Sequence, residues 1–299
     1  MEIDTRFPTE LNSVSDAPEP LRKALVESFT SGEPVRLLVH NPAFTAGEEN
    51  SPETVLAVTN KGWLVVSETE DGLAAVEKSD FSDTLFLELK SILLLGQLRI
   101  CFAGADTSRS VTIKFETVGD ELYRKAIDLI LGGIDPTLTT VADKDPNQAS
   151  VVEAWPMKVR NEAQRYWPSG QRLLAATHWL AIFDESQQQL AAAGALLITE
   201  RELVLFSEER DSSAEPSREA PSVEEPKERF GGIMTFVPRV RLADFHVSHQ
   251  ESLGILALQV RGVHGGEKLE IIFPSENEKA VSTAMEQMLL SRDSAQQTH

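Results

Sequence analysis

A chain of 299 residues, 41% apolar and 25% charged, is long enough for two ordinary domains at roughly 100 to 200 residues each. Its 47 acidic against 28 basic side chains, a formal charge of −19, oppose broad contact with nucleic acid or an anionic bilayer, which bind through basic surface. The single cysteine, Cys101, excludes an internal disulfide framework and a cysteine-rich zinc module, and fits a reducing compartment. The opening Met1-Glu-Ile-Asp-Thr-Arg6 carries acid where a secretory signal needs positive charge, and no apolar run approaches the roughly 18 residues of a spanning helix, so a cytoplasmic protein is expected.

An internal repeat organises the chain. A shift of 138 residues places Pro18 on Pro156, Arg22 on Arg160, Ser31-Gly32 on Ser169-Gly170 and His40 on His178. Leu21, Leu25 and Phe29 fall on Val159, Ala163 and Trp167, the four-residue spacing of one helix face, with a proline opening each helix and a Ser-Gly pair closing it. At a shift of 140, Leu56–Glu68 lies over Leu196–Glu208, two β-rich runs about a polar centre, the pattern of a hairpin. At 158, Ile113-Lys-Phe115 lies over Ile271-Ile-Phe273, and Thr117 with Asp120 over Ser275 with Glu278. That last spacing predicts a capping box and a closing helix, with Leu122, Ala126 and Ile130, or Ala280, Ala284 and Met288, as its apolar stripe.

The predicted strands of the first copy are 35–39, 55–59, 63–67, 85–89, 92–95, 98–102 and 111–115; those of the second are 173–183, 195–198, 203–207, 233–236, 240–247, 255–260 and 269–273. Short turns between them imply antiparallel pairing and an α+β class. The expected division is a domain over 17–134, a polar linker over 135–149, and a domain over 150–291. The second carries an acidic insert at 208–229, where too little apolar surface exists to offset the ordering entropy of roughly 1 to 2 kcal/mol per residue. Each copy is expected to fold alone.

The unit resembles the bacterial pleckstrin-homology-like superfamily, which includes the GRAM domains. The residues carrying the resemblance are the helix leading into Gly32-Glu-Pro-Val35 or Gly170-Gln-Arg-Leu173, the hairpins Leu56–Leu64 and Gly194–Phe206, and Arg241-Leu-Ala-Asp-Phe245. The first copy departs from the hairpin pattern in having Glu53-Thr54 where the family has glycine, and Val66 where it has an aromatic. The resemblance implies two β-sandwiches or partial barrels, each preceded by an N-terminal helix and plugged by a C-terminal one, acting as binding modules for lipids, peptides or proteins.

The candidate sites weigh against chemistry. Phosphoinositide binding needs basic residues on the first hairpin, but Asn41–Glu53 and Asp184–Leu190 hold acids and no lysine or arginine, so phosphoinositide or membrane contact is not expected. His40 and His178 are expected to be structural. The closest approach to a metal site is Asp244, His246 and His249: the first two share a strand face, but His249 falls beyond an expected turn and no further Glu or Cys completes zinc spacing. His264-Gly-Gly266 reads as a tight turn with positive φ. Cys101 lies opposite the Leu98, Ile100 and Phe102 face and is expected to be a passive, partly buried thiol. Arg239 and Arg241, on one strand face, offer a place for an acidic partner or a solvated surface. Trp155 either packs between the domains or lies exposed.

The expectation is a non-catalytic protein with no cofactor that binds or scaffolds a protein or peptide partner. The proposed groove lies between a closing helix, Thr117–Leu131 or Ser275–Leu290, and its neighbouring strand. The alternatives are a metal-binding protein or metal-dependent enzyme using the Asp244, His246 and His249 cluster, and a membrane-surface adaptor. The oligomeric state and the choice of copy are left open.

Overall fold

A computed structural model of the chain describes residues 7–29, 33–46, 49–104, 107–136, 151–165, 171–186, 188–210 and 230–296. The first copy runs β1 (Thr9–Glu10), α1 (Leu21–Ser28), β2 (Val35–Asn41), β3 (Phe44–Ala46), β4 (Glu49–Ser51), β5 (Thr54–Thr59), β6 (Gly62–Glu68), β7 (Ala74–Asp80), β8 (Thr84–Ile92), β9 (Leu95–Ala103), β10 (Ser108–Glu116) and α2 (Asp120–Ile134). The second runs α3 (Met157–Arg165), β11 (Leu173–Trp179), β12 (Ile182–Phe183), β13 (Gln189–Ala191), β14 (Gly194–Thr199), β15 (Glu202–Arg210), β16 (Phe230–Pro238), β17 (Leu242–Gln250), β18 (Leu253–Arg261), β19 (Gly266–Pro274) and α4 (Glu278–Gln296). The class is α+β, and every strand pair among the described residues is antiparallel. Residues 208–210, expected to open the disordered acidic insert, instead end β15 because they pair with β16, while residues 211–229 of the insert and most of the expected linker lie outside the described residues, as do Ser31-Gly32, Trp167 and Ser169-Gly170.

The repeat is visible in backbone detail. Arg22 N–H donates to Pro18 O (2.8 Å) and Arg160 N–H to Pro156 O (2.9 Å), so both helices open on the proline carbonyl. Both hairpin centres are tied by one threonine: Thr59 Oγ1 accepts from the N–H of Lys61 and Gly62, and Thr199 Oγ1 from Arg201 and Glu202. Gly96 stands opposite Phe115 and Gly254 opposite Phe273, and a Cβ on either glycine would lie 2.3 Å from the ring. Each buried phenylalanine therefore lies across a strand position that only glycine leaves empty.

Three sequence expectations need correction. Residues 92–95 are not one strand: Ile92 ends β8, Leu95 begins β9, and Leu93-Leu94 form the tip of that hairpin, where Leu93 has φ +53, as Glu251 has φ +55 at the equivalent tip between β17 and β18. β7, Ala-Ala-Val-Glu-Lys-Ser-Asp, is a strand that its poor β propensity conceals. The capping boxes do not form: Thr117–Gly119 and Ser275–Asn277 are 3₁₀ turns, tied instead by Thr117 N–H to Leu94 O and Ser275 N–H to Ser252 O (both 2.9 Å). The helices start three residues later, at Asp120 and Glu278.

In the first copy, β1-β2-β5-β6-β7 form one sheet. The three strands β8, β9 and β10 do not form a sheet of their own; β8 pairs with β16, giving β10-β9-β8-β16-β15-β14-β11 across both copies. Strand alternation assigns each face of this wall to a different core. Leu87, Leu89, Leu98, Ile100, Phe102, Val204, Phe206, Met234 and Phe236 face the core that α2 closes with Tyr123, Ala126, Ile127 and Ile130. Phe86, Cys101, Ala103, Leu196, Leu203, Leu205 and Val237 face the core closed by β17-β18-β19 and by Val281, Met285 and Met288 of α4. A bulge between Thr84 and Phe86 turns both Leu85 and Phe86 to that second side. The N-terminal helices take equivalent positions with different surroundings: α1 covers an outer face with Leu21 and Leu25 on Val55, Ala57, Leu64 and Val66, whereas α3 puts Val159 and Ala163 on Ala195, Leu197, Val204 and Phe206, the same positions one repeat later, inside the core that α2 closes. Burying one such leucine contributes about 1.5–3 kcal/mol.

Candidate functional site: the two equivalent strand edges

β8 and β17 are the same strand in the two copies, 158 residues apart. On its outer side β8 receives β16 in the register Ile92 to Gly231 through Leu87 to Phe236. Among the described residues β17 pairs only with β18, so its outer side is a sheet edge. Where β17 begins, a cavity of about 50 Å³ separates it from α4, lined by Arg239, Leu242, Ala243, Phe245, Met288 and Leu289. Phe245 and Val247 are partly covered by the second core, and Ala243, Asp244, His246, His249 and Gln250 are exposed.

The filled edge shows what holds a strand there. Arg201, in the β14–β15 turn, is buried and donates from Nε to Glu202 (2.6 Å) and from Nη2 to Asp128 on α2 (2.6 Å), joining the copies. Glu202 is fully buried; desolvation pushes its carboxyl above the ordinary value, with Arg201 opposing that rise. Arg241 donates to Thr84 O (3.1 Å) and Phe81 O (2.8 Å) of the first copy, and burial lowers its pKa. Asp83 accepts from His264 Nδ1 (2.9 Å) and from its backbone N–H (3.1 Å).

Arg239 and Arg241 are thus not an open basic face: they sit in a 3₁₀ turn, Arg239 donating to Glu200 O (3.0 Å) and Met288 O (2.8 Å). The triad Asp244, His246 and His249 does not converge. Asp244 accepts from the Phe245 N–H, and His249 Nδ1 pairs with Glu278 of α4 at 2.9 Å. Among the described residues no group of three or more His, Cys, Asp and Glu side chains is placed to hold a metal.

His40 is buried against Glu53 (Nε2 to Oε1, 2.8 Å), and His178 lies by Trp155 with ring centroids 5.0 Å apart, its pKa lowered by burial. Trp155 is buried in the shared core, which decides between its two readings. Cys101 is fully rather than partly buried, and desolvation pushes its thiol up to about 12. The turn at His264-Gly-Gly266 closes through Gly262 N–H to Gly265 O (2.7 Å), but among the described glycines only Gly72 has positive φ. No helix among the described residues is long and apolar enough to cross a membrane.

Of the two expected helix-and-strand grooves, the first is filled from within the chain, by β16 on β8. The available signal was β16 itself: Phe-Gly-Gly-Ile-Met-Thr-Phe-Val has apolar residues on both faces, as an internal strand requires, whereas β7 does not. Compared with protein-family models and with curated proteins, the chain matches none.

Proposed function

We propose that this chain is a tandem pleckstrin-homology-like, non-catalytic binding module of the cytoplasm that takes an extended protein segment by strand addition to β17, beside α4. The observation that carries the reading is the equivalent edge in the first copy, where β16 is added to β8 beside α2 over six residue pairs. Main-chain hydrogen bonds supply affinity in this mode and alternate side chains supply specificity. The acidic balance supports a protein over a lipid partner, and a lone thiol supports a reducing compartment.

The test pans a random nine-residue peptide library against the full chain, then measures amide exchange with an enriched peptide. Protection confined to Phe245–Gln250 and the facing turns of α4 is expected. Enriched peptides that leave β17 exchanging as before, or a library that yields no binder, would overturn the reading.

A further inference from the structure

The internal junction has a head and a tail, and among the described residues one strand edge of each kind is left unpaired. The tail is the β8 edge with α2; its counterpart in the second copy is the β17 edge with α4. The head is β16 with Arg201; its counterpart in the first copy is β7 with Lys61, and among the described residues β7 pairs only with β6. We propose that a second copy of this chain is the occupant of β17: β7 of one molecule adds to β17 of the next, repeating the junction already made within each chain. The inference rests on the strand-addition reading and names its partner.

Transposing the observed register of β16 on β8 sets Ala74 opposite His249, Ala75 opposite Ser248, Val76 opposite Val247, Glu77 opposite His246 and Lys78 opposite Phe245. No like charges meet, and Glu77 faces an imidazole. Val76, on the β7 edge, is 36% exposed, and Leu73 just before it 63%, although their counterparts one repeat later lie at the junction; Val76 corresponds to Met234, which is buried there. The charge link transposes too. Arg201 to Asp128 becomes Lys61 to Glu286, both exposed and opposite in sign. Lys61 and Lys78 border a cleft of about 530 Å³, with Trp63, Asp80, Phe102 and Arg109. Such a contact is heterologous, so it extends into chains of molecules unless the rotation closes a ring.

Sedimentation velocity of the full chain across a rising concentration series is expected to show species larger than the monomer. Lys61→Glu and Glu286→Lys should each weaken association about tenfold or more through like-charge apposition, and an equimolar mixture of the two variants should restore it. Under mild oxidation, Val76→Cys chains mixed with Val247→Cys chains should give a cross-linked dimer that neither gives alone, the native Cys101 being buried. A chain that stays monomeric throughout, with no cross-link in the mixture, overturns the proposal. If a library peptide still protects Phe245–Gln250 in that monomer, strand addition stands and only the identity of the partner falls. If neither occurs, both fall.

Discussion

β8 and β17 occupy the same place in two copies of one repeat, yet the first is buried in the middle of a seven-stranded sheet and the second ends a three-stranded one. The difference lies in the strand available to join them. β16 carries Met234 and Phe236 on one face and Val237 on the other, so it can be covered on both sides. Its counterpart β7 carries Glu77, Lys78 and Asp80, side chains that discourage casual pairing at an edge. The hairpin tips diverge likewise, Leu93-Leu94 in one copy and Glu251-Ser252 in the other. Repetition therefore conserves the scaffold while the edges are specialised, one as an internal seam and one as an outward surface.

The strongest way to break the seam is Phe236→Asp, which puts a charge between the two copies. Loss of cooperative folding of the whole chain is expected, seen as a missing thermal transition by circular dichroism. Arg201→Met should cost about 3–5 kcal/mol near neutral pH, because Glu202 is left buried without its cation. The pH dependence has a definite sign. The folded pKa of Glu202 is raised, so the folded chain binds its proton more readily than the unfolded chain. Stability conferred by that proton is present at low pH and is lost as pH rises through the raised value, so urea titrations should show a smaller deficit at pH 5 than at pH 7.

Gly96→Ala and Gly254→Ala test what the copies share. Each new methyl meets a buried ring, and a loss of about 1–3 kcal/mol is expected for both, whichever edge is filled. Cys101 reports on the seam without perturbing it: a thiol pushed up to about 12 and fully buried should react with an alkylating reagent only as fast as the wall opens. The smallest effect belongs to His249→Ala on the outward edge, where an exposed pair with Glu278 should change stability by no more than about 0.5 kcal/mol.

Much of the scaffold was legible in the residues. The repeat placed both N-terminal helices, the threonine-tied hairpins and both closing helices, because those features depend on side chains within a few positions of one another. Leu21 and Leu25, Val159 and Ala163, and Ala126 and Ala284 all lie buried on the faces that periodicity assigned them. Local reasoning failed where a distant group decided. Thr117 donates its hydroxyl to Leu93 O (3.3 Å) across a hairpin rather than capping its helix, and the arginines at 239 and 241 are drawn onto carbonyls of α4, of the β14–β15 turn and of the first copy. Asp244, His246 and His249 lie near one another in sequence, but His249 is drawn to α4 and the three do not converge.

The sequence by itself determined the repeated unit, its α+β class and the apolar faces of the N-terminal helices, since helical spacing is a property of neighbouring residues. Tertiary structure alone decided that β16 joins β8, where Ile92 pairs with Gly231 from 139 residues further along the chain, and that the two cores share a wall. The reason is the peptide group: every strand offers the same N–H and C=O to a partner, so pairing is settled by which edges the folded copies leave within reach and which side chains permit burial there.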